Sequence, residues 1–242
     1  MIIHSNCEHN KAFLTIVCCM HGDERFGLEV FAYYQKKLKA FPNLKLILAN
    51  TQAVQARKRF IDHDLNRVFF KHPRNSYEGA LARELRAAIR GTRYLLDIHT
   101  TTSSITMTPI VRSLAPSIRR IMNVTSSREI VYMGRIYARD SLIGQLDCGA
   151  SLEFNERYAR TNAARAELRS IVDGLYAGTR RSPFLRHVFY IDSSISKLQA
   201  LPKGARNFVF MRRFKTYPFL LHERAYIDIH GFSASRAEWI RL

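Results

Sequence analysis

The chain has 242 residues, enough for one large core or for a main domain carrying a small satellite. Its 47% hydrophobic and 24% charged residues exclude a disordered or fibrous protein, and no apolar run approaches the roughly 20 residues needed to cross a bilayer. The 38 Lys and Arg against 20 Asp and Glu leave a formal charge of +18. That charge is spread along the chain (Arg57, Lys58, Arg59; Arg119, Arg120; Arg180, Arg181; Arg212, Arg213), so it reads as a basic solvated surface with a non-specific attraction for anionic partners.

In chain order, residues 13–20 (FLTIVCCM) form a continuous apolar run that predicts a central strand buried on both faces. Cys18 and Cys19 lie inside it and are expected on opposite faces of the strand. With Cys7 and Cys148 they show neither metal-ligand spacing nor a disulfide framework, which predicts free thiols in a reducing compartment. Residues 1–11 are too polar for a signal peptide, so the expected location is cytoplasmic. Leu28, Phe31, Tyr34 and Leu38 recur at helical spacing, residues 44–49 (LKLILA) read as a second strand, and residues 50–74 as a long ordered loop of the kind that carries function.

Leu81, Leu85 and Ile89 predict a helix over residues 78–90 that stops at Gly91. Residues 94–98 (YLLDI) and 149–154 (GASLEF) predict two more strands, and Ala164, Leu168, Ile171 and Leu175 a helix closing near Gly178. Strands alternating with helices predict an α/β fold with helices on both faces of a central sheet. After Pro183 the pattern changes: residues 187–192 (HVFYID) and 207–213 (NFVFMRR) read as short strands joined by turns at Pro202 and Gly204. The expected organisation is a main domain over 1–183 and a small β-rich domain over 184–242.

Three ionisable clusters stand where strands give way to loops: His21-Gly22-Asp23-Glu24, Asp97-Ile98-His99 and Glu153. In open α/β sheets ligands bind outside the carboxyl ends of the strands, so these clusters are expected to converge. Singly, a His or Glu at a strand end is more often a solvated loop residue. Jointly, His21, Glu24 and His99 form a His2Glu set that suits catalytic zinc with one position left for water. Glu153 is the candidate general base, and Asp97, two positions before His99 on the same strand face, the candidate acceptor for the ring's other N–H.

Residues 18–27 (CCMHGDERFG), 59–69 (RFIDHDLNRVF), 95–104 (LLDIHTTTSS) and 151–154 (SLEF) resemble, in order and spacing, the succinylglutamate desuccinylase/aspartoacylase family. The resemblance implies a zinc carboxypeptidase-like fold, a three-layer architecture with a mixed central sheet. It also implies one Zn2+ per chain held by His21, Glu24 and His99, with Glu153 as base. By the same resemblance Arg59 polarises the scissile carbonyl, while Asn66 and Arg67 bind a substrate carboxylate; the competing reading of Arg67 is a surface ion pair with Asp62 or Asp64. Residues 217–226 (YPFLLHERAY) look like the aspartoacylase segment whose last tyrosine reaches the substrate, making Tyr226 a candidate hydroxyl donor and Glu223 its neighbour in the motif. A packed aromatic is the alternative there. One departure stands out: the aspartoacylase branch has a further carboxylate-binding arginine about ten residues before the glutamate, a position that falls at Ile143, with Arg139 the nearest arginine.

The leading expectation is a zinc-dependent amidohydrolase acting on a small N-acyl amino acid. Peptide or peptidoglycan fragments are the alternative substrates, and a non-catalytic basic protein binding anions or nucleic acid is the alternative of another class.

Overall fold

The computed structural model describes residues 1–7, 11–71, 73, 75–179 and 185–241. The boundary placed at Pro183 and the basic pair Arg180 and Arg181 lie outside the described residues. The chain opens with β1 (Ile2–Ser5) and β2 (Leu14–Cys18), followed by α1 (Arg25–Lys36), β3 (Leu44–Leu48), α2 (Thr51–Ala56) and α3 (Tyr77–Ala88). Next come β4 (Tyr94–Thr101), β5 (Met107–Val111), α4 (Pro116–Val124), β6 (Glu129–Tyr132) and α5 (Gly134–Ala138). The rest is β7 (Gly149–Asn155), α6 (Glu156–Ala159), α7 (Asn162–Tyr176), β8 (Leu185–Ser196), β9 (Tyr217–Phe219) and β10 (Ile229–Arg241).

Among the described residues the strands form one mixed sheet in the order β1-β3-β2-β4-β7-β5-β6-β8-β10-β9. The centre, β3-β2-β4-β7, is parallel, and β5 runs antiparallel to β7. Side chains alternate between two apolar layers, as the period of a strand requires. Leu14, Ile16 and Cys18 of β2 and Leu96 and Ile98 of β4 pack with Val30, Tyr34, Ile121, Leu168 and Ile171 from α1, α4 and α7. Val17 and Leu95 face the other way, towards Leu81, Leu85 and Ile89. Burial on both faces explains why these strands read as unbroken apolar runs.

The β-rich C-terminal part continues the same sheet. β8 pairs in parallel with β6, and β10 runs antiparallel to both β8 and β9. Phe189, Phe219 and Ala234 share an apolar cluster with Ile110, Val131 and Ile143 of the preceding part, and Ile195, Met211 and Leu221 form a smaller one.

Several expectations change. β2 stops at Cys18 because Cys19 has φ 56°. The chain turns there, so Cys18 and Cys19 share one apolar cluster instead of facing opposite ways. All four cysteines are free. α1 begins at Arg25 and buries Phe26, Val30, Phe31 and Tyr34, while Leu38 falls in a following 3-10 turn. The stretch 50–74 is not all loop: Asn50 caps α2 by accepting from Ala53 N (3.2 Å), and Leu65–Arg67 form a 3-10 turn. Residues 207–213 form no strand; Phe208 has φ 63°, and Met211 makes only an isolated bridge to Thr216. Among the described residues no helix is long and apolar enough to cross a membrane.

Candidate metal centre

Strand pairing assembles the site. β2 delivers its C-terminal turn beside β4, and β4 is paired with β7 so that Asp97 faces Ser151 and His99 faces Glu153. The turn after β2 is held from below: Asn50 N donates to Cys19 O (3.0 Å) and Gly22 N to Arg59 O (3.0 Å). A Cβ at Gly22 would sit 2.1 Å from the backbone of Ala53, so α2 can approach the turn only because that residue is glycine.

His21, Glu24 and His99 are 3, 5 and 2% exposed, and their ligand atoms lie within 4.8 Å of one another. Both rings are oriented alike. His21 Nε2 lies 2.9 Å from Asp64 Oδ1, and His99 Nε2 2.9 Å from Asp97 Oδ2, which also accepts from Ser151 Oγ (3.1 Å). Both Nδ1 atoms turn to the Glu24 carboxylate, at 2.6 Å for His21 and 3.2 Å for His99. With each Nε2–H donating to an aspartate, two nitrogen lone pairs and a carboxylate converge on one point. Such a set is neutralised either by a second proton on each ring or by a cation. The donor types, and the carboxylate behind each imidazole, fit Zn2+.

The electrostatics follow from this crowding. Burial pulls the His99 and His21 pKa values down, but Asp97 and Glu24 on one side, and Glu24 and Asp64 on the other, outweigh it and hold both above the ordinary histidine value. Burial would push the Glu24 and Asp64 carboxyls up. His99 and His21 reverse this for Glu24, and His21 with Arg67 and Arg59 for Asp64, so both lie below the usual carboxylate range. Glu153 behaves differently: burial, aided by Glu24 and Glu223 against His99 and His21, pushes its carboxyl up to about 7.

A narrow cleft of about 40 Å³ is lined by His21, Glu24, His99 and Glu153 together with Arg59, Asn66, Arg67, Tyr226 and Glu223. The proposed ligands, base and substrate-binding residues therefore meet in one place, with Asp97 behind His99. Arg59, not Arg67, takes Asp64 (Nη2 to Oδ2 3.3 Å), and it also lies 3.8 Å from Glu24. Arg67 donates to the carbonyl of Asn66 (2.9 Å) and, among the described residues, does not form the competing ion pair with Asp62 or Asp64. Asn66 Oδ1 accepts from Leu142 N (2.9 Å), which holds this amide in the wall of the cleft. Burial raises the Tyr226 phenol well above its ordinary value. Ile143 is buried in the apolar cluster that includes Tyr226. Arg139 does not line the cleft; its guanidinium lies 4.1 Å over the Phe70 ring.

Sequence reasoning missed two supports. Asp64, named only as a possible ion-pair partner of Arg67, orients His21; its place in the DLNR motif is the available signal. Glu223 ties the C-terminal segment down: its carboxylate accepts from Thr102 N (2.8 Å), Thr102 Oγ1 (3.2 Å) and Thr101 Oγ1 at the end of β4.

Residues 11–146 match the succinylglutamate desuccinylase/aspartoacylase catalytic domain. The chain belongs to this family. Curated relatives are a "Probable aspartoacylase" of Trichodesmium erythraeum (strain IMS101), 32% identical over 134 residues, and one of Acaryochloris marina (strain MBIC 11017), 32% identical over 119. The matches cover 48 and 44% of this chain, and 44 and 40% of those proteins, so less than half of each relative is spanned. In fold, this desuccinylase/aspartoacylase-family chain is similar to a mutant of murine aminoacylase 3 (TM-score 0.75, 18% identity, 98% of this chain and 97% of that one). It is similar also to the succinylglutamate desuccinylase of Chromobacterium violaceum (TM-score 0.72, 15% identity, 96 and 86%). A tripeptide-bound cell shape determinant protein of Helicobacter pylori is more distant (TM-score 0.59, 12% identity, 75 and 57%).

Proposed function

We propose that this chain hydrolyses the amide bond of an N-acyl amino acid, with His21, Glu24 and His99 holding Zn2+ and Glu153 as the general base. The observation that carries the reading is the convergence of two aspartate-backed Nδ1 atoms on Glu24 with Glu153 in register beside His99. Zinc bound there supplies Lewis acidity to the amide carbonyl and to a water molecule. Glu153 takes a proton from the attacking water and returns it to the departing amine, so the C–N bond breaks to give a carboxylic acid and a free amine. Arg59 turns an always-charged guanidinium towards the oxygen on which negative charge develops. Arg67, at the rim of the cleft, suits a substrate carboxylate, and Tyr226 a hydroxyl contact.

Among the described residues Arg59 and Arg67 are the guanidinium groups lining the cleft, so one is left for a carboxylate once the other faces the amide. The expected substrate therefore carries a single carboxylate and a small uncharged side chain. The fold likeness to a tripeptide-bound protein favours a peptide substrate, but the small free volume weighs against it. A non-catalytic, anion-binding role for the +18 surface would not call for a buried His2Glu set with a carboxylate behind each ring.

Zinc content and turnover of the zinc-loaded protein on N-acetyl and N-succinyl amino acids test the reading. Glu153→Gln is expected to keep its zinc and lose roughly 10²–10⁴-fold in turnover. Full activity in that variant would overturn the mechanism.

A further inference from the structure

Glu78 is completely buried in the first turn of α3, away from the cleft, yet none of its carboxylate hydrogen bonds serves its own helix. Oε1 accepts from Asn50 Nδ2 (3.0 Å) and Ile61 N (2.7 Å), and Oε2 from Asp62 N (2.9 Å) and His63 N (3.1 Å). Three successive backbone amides of an otherwise exposed loop thus converge on one buried side chain. The loop returns the bond: Asp62 Oδ2 accepts from Tyr77 N at the start of α3 (2.7 Å). Both carboxylates sit where the helix dipole favours negative charge.

The residue after this triple anchor is Asp64. Its Oδ1 accepts from Asn66 N (2.9 Å) and faces His21 Nε2 (2.9 Å), while its Oδ2 faces Arg59 (3.3 Å). Asn66 and Arg67 follow in the same 3-10 turn. Ahead of the anchor, Arg59 O receives Gly22 N from the His21 turn. Every group that residues 59–67 send to the site therefore stands beside amides whose position Glu78 sets.

We infer that Glu78 is a positioning residue: it fixes the 59–67 loop against the metal ligands, so that Asp64 orients the His21 ring and Arg59, Asn66 and Arg67 reach the cleft. Glutamine cannot replace it. All four partners are N–H donors, two at each oxygen, and an amide in either orientation turns its own NH2 onto two of them. This role rests on the zinc reading of His21, Glu24 and His99.

The test is zinc affinity, measured by competition with a chromophoric chelator and so independent of any substrate, in wild type, Glu78→Gln and Arg186→Met. The last is a control expected to be destabilised, on β8, four strands along the sheet from β4. Loss of an outer partner of a metal-binding histidine typically weakens binding about 10–100-fold. That loss is expected in Glu78→Gln and not in Arg186→Met. Wild-type affinity in a folded Glu78→Gln variant, whatever its melting temperature, overturns the inference. Failure of the wild type to bind zinc overturns the zinc reading instead. Amide hydrogen exchange then decides on Glu78: faster exchange in Glu78→Gln at Asn66 and Arg67, which it does not touch, supports positioning, and unchanged exchange refutes it. If Glu78→Gln does not fold, Glu78→Asp keeps the charge, withdraws it by one methylene, and is expected to shift both measurements the same way by less.

Discussion

The parallel centre of the sheet and its C-terminal extension contribute to one cleft by opposite means. In the centre, β2, β4 and β7 are buried on both faces; register sets His99 against Glu153, and the turn that leaves β2 brings His21 and Glu24 beside them. In the extension, β8 and β10 are long, bulged and partly exposed, and Tyr226 arrives on an irregular segment in which Leu220 and His222 have φ 53° and 60°. A site set at the ends of paired strands needs only short ties, such as Asp64 on His21. A wall carried on a loop has to be tied down, and the tie is Glu223 on Thr101 and Thr102.

That contrast breaks if the two halves fail separately in the wrong order. Glu223→Ala removes the tie while leaving His99 and Glu153 on β4 and β7 and His21 and Glu24 in the turn after β2. Turnover is expected to fall about 10²-fold, the usual cost of a displacement near 1 Å, with zinc stoichiometry unchanged. Steady-state kinetics beside metal analysis separate the two effects. Loss of zinc in this variant would mean that the C-terminal part holds the metal centre together, contrary to the division drawn above.

The same division explains what was legible in the sequence. Strands buried on both faces announce themselves as apolar runs, so the sites at their ends, from His21 to Glu153, are legible in the sequence alone. Cys19 hid its left-handed turn because nothing but φ distinguishes it from a strand residue. α2 is too short for a helical period, leaving only the Asn50 cap as a sign. Glu78 reads as an ordinary acid in a helix's first turn. β9 has three residues, and the turns around it use Phe208, Lys215, Leu220 and His222 at positive φ, where glycine would have been the usual signal.

The extension is joined to the helical layer as well as to the cleft. Arg186, 2% exposed on β8, donates to the carbonyls of Met122, Thr125 and Ser127, where α4 ends. A buried cation at a helix C-terminus satisfies orphan carbonyls and the dipole together. Arg186→Met keeps the apolar stem and leaves those carbonyls without the guanidinium, at an expected cost of about 2 kcal/mol, read by denaturant unfolding. Zinc affinity should not move. An unchanged unfolding midpoint would show that α4 closes without help from β8.

The finest test lies within the extension itself. His187 on β8 is stacked against Trp239 of β10, with centroids 4.5 Å apart and planes at 12°, and packs on Phe189 at 4.2 Å. Burial lowers its pKa from 6.5, against a smaller opposing pull from Glu129, its partner in register on β6. A folded-state value below the unfolded one means that the unfolded chain takes up the proton first. The contribution to stability is therefore complete above pH 6.5 and is lost as the pH falls towards the folded-state pKa. His187→Phe keeps an aromatic ring between its neighbours and removes the titration. The difference in melting temperature between variant and wild type should widen in the variant's favour from pH 7.5 to pH 5, and a constant difference would show that β8 and β10 hold together regardless of the charge on His187.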